Sequence, residues 1–113
     1  MAIEQKEELI EATCPECRGP LRAIRYNEIV EYECLVGHKY SAESLLTSHS
    51  EVQEKALWSA IVALEEATNI VRATASQLPA EIAQHLEKLA ERKREQAQTI
   101  RQITEELEPF QSK

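Results

Sequence analysis

The sequence predicts a mostly α-helical chain in which a small β-hairpin unit precedes a long antiparallel helical hairpin. Three observations carry that expectation. Apolar residues recur at 4-3 spacing through much of residues 51–107, glycine occurs only twice in 113 residues, and strand-like alternation is confined to a stretch that also holds all three cysteines. The charge balance narrows the function classes. With 29% charged residues and a formal net charge of −7, the chain lacks the clustered lysine and arginine that coat nucleic-acid backbones. It is also too short and too poor in glycine loops for an enzyme fold with a sizeable cleft, so no catalytic role is expected.

Residues 1–13 read as an acidic lead-in, with Glu4, Glu7, Glu8 and Glu11 against Lys6. No positive region followed by an apolar stretch appears there, and no apolar run approaches the ~20 residues of a membrane span. A cytoplasmic location is the expectation, in keeping with an odd number of cysteines. Residues 14–40 form the cysteine-bearing unit. Leu21-Arg22-Ala23-Ile24-Arg25-Tyr26 and Ile29-Val30-Glu31-Tyr32-Glu33-Cys34 alternate over part of their length around a two-residue turn, Asn27-Glu28. Asparagine tolerates the left-handed backbone of such a turn. Pro20 marks entry into this hairpin, which is marginal in water unless something pins it.

Residues 41–113 read as helical. Ser41 is a candidate N-cap before a short helix near 42–48, and Ser50-Glu51-Val52-Gln53 has the pattern of a capping box that opens a helix over 51–77. Leu57, Ile61, Leu64, Val71 and Leu78 fall on one stripe, with Thr68 and Ala75 in register. Pro79 ends that helix and suits the first turn of the next, over 80–107. Its stripe is Ile82, Leu86, Leu89, Ile100, Ile103 and Leu107, extended by Phe110, with Lys93 and Gln96 in the middle. Two helices of about 27 residues, each roughly 40 Å long, joined by a short connection, make an antiparallel coiled-coil hairpin. Two helices alone bury a thin core. A second stripe of small residues, Ala56, Ala60, Ala63 and Ala67, offers a face for self-association or for a helical partner.

The chemistry concentrates in the cysteine unit. Cys14-Pro15-Glu16-Cys17 and Cys34-Leu35-Val36-Gly37-His38 flank the hairpin, sixteen residues apart. Zinc takes four soft or borderline ligands in a tetrahedron, and three thiolates with one imidazole satisfy it. Cys14, Cys17, Cys34 and His38 therefore predict one structural Zn2+ in a zinc ribbon, with Gly19 and Gly37 easing the backbone beside the two knuckles. Four protein ligands leave no open position for catalysis. Because such units fold only around metal, its binding free energy is folding free energy. His49 and His85 read as surface residues, Trp58 as packing beside the helix seam, and Arg92-Lys93-Arg94, hemmed by Glu91 and Glu95, as a solvated helix face.

The stretch Cys34-Leu35-Val36-Gly37-His38-Lys39-Tyr40-Ser41, with Cys14-Pro15-Glu16-Cys17, Glu43-Ser44-Leu45-Leu46, Ala56-Leu57-Trp58 and Ala63-Leu64-Glu65-Glu66, resembles the C-terminal extension of some bacterial chemotaxis protein-glutamate methylesterases and their relatives. The resemblance covers roughly residues 13–70. In that family the first knuckle commonly reads Cys-Pro-x-Cys-Gly, whereas Arg18 stands at the glycine here and Gly19 follows. Neither a receiver domain nor an esterase domain fits in this length, so the resemblance implies the accessory module by itself, without methylesterase activity.

Three functions are weighed on these residues. The leading one is a non-catalytic, zinc-stabilised interaction or assembly module linked to bacterial signalling. The second is a small nucleic-acid-binding zinc ribbon, for which Arg18, Arg22, Arg25 and Lys39 would have to converge against the opposing Glu16, Glu28, Glu31 and Glu33. The third is a thiol redox protein using Cys14 and Cys17, although no thioredoxin-like βαβ pattern surrounds them.

Overall fold

A computed structural model describes residues 5–110 of the chain. Four antiparallel strands come first, β1 (Gln5–Thr13), β2 (Pro20–Tyr26), β3 (Ile29–Cys34) and β4 (Lys39–Ser41), followed by two helices, α1 (Ala42–Ala75) and α2 (Ala80–Glu106). The expected order of a hairpin unit and then a helical hairpin holds. Two compact units emerge. One contains the sheet and the start of α1 through Val52, and the other spans Gln53–Glu108. The first thus reaches past residue 40, where the sequence suggested a boundary.

The sheet is a meander in the order β1-β2-β3-β4. Its central pair is the expected hairpin, in register from Leu21 opposite Cys34 to Tyr26 opposite Ile29. Asn27 adopts the left-handed backbone with φ 57°, as the turn requires. The acidic lead-in is corrected: residues 5–13 form β1, paired with β2 from Gln5 opposite Tyr26 to Thr13 opposite Pro20, with an irregularity after Ile10. Its sequence hides this because an edge strand needs only a fringe of burial, and charges along it deter pairing with other chains. Residues 1–4 of that lead-in lie outside the described residues.

Alternation in β2 and β3 turns Leu21, Ala23, Tyr32 and Cys34 to one side. Leu21 and Cys34 pack there with Cys14, Tyr40 and Leu45, with Ile10, Ala12 and Tyr32 at the margin. Leu45 belongs to the first turn of α1, so the helix start and the cysteines share one core. Ser41 caps that helix as expected, its Oγ accepting the Ser44 N–H at 3.0 Å.

The two expected helices over 42–48 and 51–77 are in fact one. Ser50 is no cap. Its hydroxyl donates to the Leu46 carbonyl at 3.0 Å and accepts the Phe110 N–H at 3.0 Å, the back-bonding by which serine survives inside a helix.

In the second unit the helices run antiparallel. Arg72 of α1 bonds Glu87 and Glu91, and Arg101 of α2 reaches back to Glu65 at 2.9 Å. The α1 stripe lies as expected, with Ile61, Thr68 and Ala75 buried and Leu57, Leu64 and Val71 half-buried, but Leu78 at its end is 40% exposed. The α2 stripe is corrected. Ala90 and Ala97 are buried and Ala83 and Thr104 half-buried, while Ile82, Gln96, Ile103 and Phe110 are exposed. Leu86, Lys93, Ile100 and Leu107 keep their places. The seam takes alanines in preference to the neighbouring isoleucines because small side chains let two helices approach closely, and tight packing there outweighs the larger apolar area alongside.

Candidate metal centre

The two knuckles are built by backbone hydrogen bonds. The Arg18 N–H donates to the Cys14 carbonyl at 2.8 Å and the Cys14 N–H to the Gly19 carbonyl at 2.7 Å; in the second, the Gly37 and Cys34 N–H groups bond the Cys34 and His38 carbonyls at 3.1 Å. Each knuckle needs one residue in the left-handed region. Gly37 supplies it in the second, with φ 97°. In the first it is Arg18, with φ 66°, not Gly19. Gly19 serves differently, since a Cβ there would stand 3.4 Å from Cys17 Sγ. A left-handed non-glycine residue costs about 1–2 kcal/mol, part of which glycine returns through its freer unfolded chain. Arg18→Gly is therefore expected to raise thermal stability, by about 0.5–1 kcal/mol in a melt.

The knuckles aim four donors at one point. Cys14, Cys17, Cys34 and His38 each offer a ligand atom, all within 4.8 Å of one another, close enough to hold a metal ion. Donors around a tetrahedral metal with sulfur at about 2.3 Å and nitrogen at about 2.0 Å stand roughly 3.5–3.8 Å apart. Cys17 and Cys34 Sγ are 3.6 Å apart, Cys14 Sγ and His38 Nδ1 3.7 Å, and Cys34 Sγ and His38 Nδ1 3.3 Å. The donor set and its spacing fit the group. Cys14 and Cys34 are buried, whereas Cys17 is exposed.

The surroundings favour thiolates at the two buried positions. Burial opposes ionisation of Cys14, but hydrogen bonds from Tyr40 Oη and from the Cys17 and Glu16 N–H groups bring it down to about 6. Cys34 is likewise lowered against its burial, by the His38 and Val36 N–H groups. Cys17 is raised: the Gly19 N–H lowers it, but burial and the neighbouring Cys34 and Cys14 prevail. Contact with Cys34 raises His38 against its own burial, helped by Glu16. A bound dication would draw all four donors to their deprotonated forms.

Two residues beside the ligands were not singled out as functional by the sequence. Tyr40 Oη lies 3.1 Å from Cys14 Sγ, and with its own ionisation pushed up by burial and that contact it is the donor. Tyr40 lies in β4 two residues after His38, which immediately precedes that strand, and this spacing is the signal that could have found it. Glu16 Oε2 lies 3.0 Å from His38 Nε2, which fixes the proton on Nε2 and leaves Nδ1 free to face the thiolates. Glu16→Gln is expected to weaken metal affinity about tenfold, read by competition with a chromophoric chelator.

The remaining sequence candidates fall elsewhere. His49 is half-buried and His85 exposed, both outside the cluster. Arg22 is held by Glu7 and Glu33 and Arg25, by alternation, lies on the other side of the sheet, so the cations proposed for a nucleic-acid patch do not share one face. Trp58 is 44% exposed with the Arg101 guanidinium 5.4 Å from its ring centre. In the small-residue stripe Ala56 and Ala63 are exposed and Ala60 and Ala67 half-buried. None of the helices is long and apolar enough to cross a membrane among the described residues. Compared with protein-family models, with curated proteins and with solved structures, the chain matches none at a significant level.

Proposed function

We propose that this chain is a non-catalytic protein-interaction module whose β-unit is folded by one structural zinc ion and whose helical hairpin carries the contact surface. The observation that supports this most is the closed Cys3His set, in which every donor comes from the protein and two of the three sulfurs are buried. Closed, sulfur-rich tetrahedra are structural zinc sites, whereas catalytic ones keep an open position. The reducing interior of a bacterial cell suits free thiolates, and the resemblance of residues 13–70 to the methylesterase extensions supports a role in signalling. Native mass spectrometry of protein purified without chelator tests the reading. A mass excess of one zinc per chain, with thiols that resist alkylation until a chelator is added, is the expected result. A metal-free chain with reactive thiols overturns it.

One observation favours the redox alternative: Cys17 is exposed and its Sγ lies 3.6 Å from Cys34 Sγ. The same alkylation experiment separates the two, because a working redox pair needs an accessible thiolate.

A further inference from the structure

The three sulfurs of the cluster are not equivalent. Cys14 and Cys34 are 0% and 1% exposed, and Cys14 Sγ is further engaged by the Tyr40 hydroxyl at 3.1 Å. Cys17 is the exposed one. Its Sγ stands 3.6 Å from the buried Sγ of Cys34 on the other knuckle. Sulfurs in a disulfide lie about 2.0 Å apart, so a movement of about 1.5 Å brings this pair to bonding distance. Oxidant-sensitive cysteines combine thiolate character, solvent access and a resolving thiol alongside. Cys17 has the second and third by its position, and a dication held by the cluster keeps its sulfur deprotonated.

We propose that Cys17 is an oxidation site through which a peroxide drives out the zinc ion, with Cys34 as the resolving thiol. This rests on the reading of the cluster as a zinc site and adds the chemistry that regulates it. Bound zinc slows reagents at all three sulfurs, but each keeps a lone pair that can react. Exposure then decides which of them a small oxidant in excess reaches first. The Cys17 sulfur attacks one peroxide oxygen, the O–O bond breaks, and hydroxide leaves with the bonding pair. Sulfur is thereby oxidised by two electrons to a sulfenic acid, and the peroxide is reduced. The Cys34 sulfur next attacks the Cys17 sulfur, so that an S–S bond forms, the S–O bond breaks and a second hydroxide departs. Solvent protons neutralise both hydroxides. The disulfide takes one donor from each knuckle and leaves only Cys14 and His38, two ligands for an ion that needs four. Both products stay on the reversible part of the cysteine oxidation ladder, so a thiol reductant with zinc restores the site.

Treating the zinc-loaded full chain with excess hydrogen peroxide tests this. Released zinc is followed with a weak chromophoric chelator, and the cysteines by peptide mass mapping, with and without dimedone to trap sulfenic acid. The expected result is a trapped sulfenic acid on Cys17. Without the trap, a Cys17–Cys34 disulfide forms and one zinc is lost per disulfide, both reversed by dithiothreitol and added zinc. Where resolution outruns the trap, the disulfide map decides alone. Trapping at Cys14 or Cys34 in place of Cys17 overturns the proposal, as does a Cys14–Cys17 disulfide. Zinc content before peroxide is added reports separately on the metal reading. A chain that carries zinc and keeps it under peroxide overturns this proposal alone, and a chain that carries none overturns both.

Discussion

Cys34→Ser is expected to abolish metal binding and to unfold the β-unit. Cys34 is 1% exposed, pairs with Leu21 across the central strands and touches both Cys17 and His38. Serine keeps the size of the side chain but removes a soft anionic donor. The buried cluster around it is small, formed among the described residues with Cys14, Leu21, Tyr40 and Leu45, so little apolar packing holds this side of the sheet. Structural sites of this type contribute about 10–16 kcal/mol of apparent binding free energy, comparable to or larger than the whole stability of a small domain. The expected result is loss of dispersed amide resonances from residues 5–41 in an NMR spectrum, with no metal retained through gel filtration. Adding a strong chelator to the wild-type chain should produce the same spectrum. A dispersed spectrum without metal would show that the sheet stands on apolar packing alone.

Ile61→Ala is expected to cost about 3 kcal/mol in the helical unit, within the usual range for emptying a buried branched site. Ile61 is completely buried at the centre of the α1 stripe, where two helices provide few neighbours to close the gap. The complementary change is Ala90→Leu. Ala90 is also completely buried, and enlarging it in a seam where the backbones approach closely should destabilise by about 1–3 kcal/mol. Denaturant melts followed by helical circular dichroism measure both. Had the seam followed the larger residues of α2, Ala90→Leu would be neutral or stabilising, so the sign of that change checks the register.

The four clustered donors were legible in the sequence because each pair is local. Two donors separated by two or three residues converge in any tight knuckle, and a hairpin returns one pair to the other. Ser41, Asn27 and Pro79 also spoke for themselves, since capping, turn and breaker chemistry acts within a few residues. Ser50 misled for the same reason: its capping box is a local pattern, whereas the helix through it is sustained by Leu45 on one side and the 57–75 stripe on the other. The acids of β1 gave no alternation to read, and its strand exists because β2 offers a free edge.

What the sequence alone determined is that a β-hairpin unit precedes a helical hairpin, which four donors come together, and the α1 seam. The tertiary structure decided three other things: that residues 5–13 complete a sheet, that Glu16 and Tyr40 attend the donors, and that α2 turns Ala83, Ala90 and Ala97 to α1 and leaves Ile82 and Ile103 exposed. The division has one physical reason. Spacing along a chain encodes what neighbours in sequence can do together. Which of two adjacent apolar stripes is buried depends instead on how closely another element packs against it.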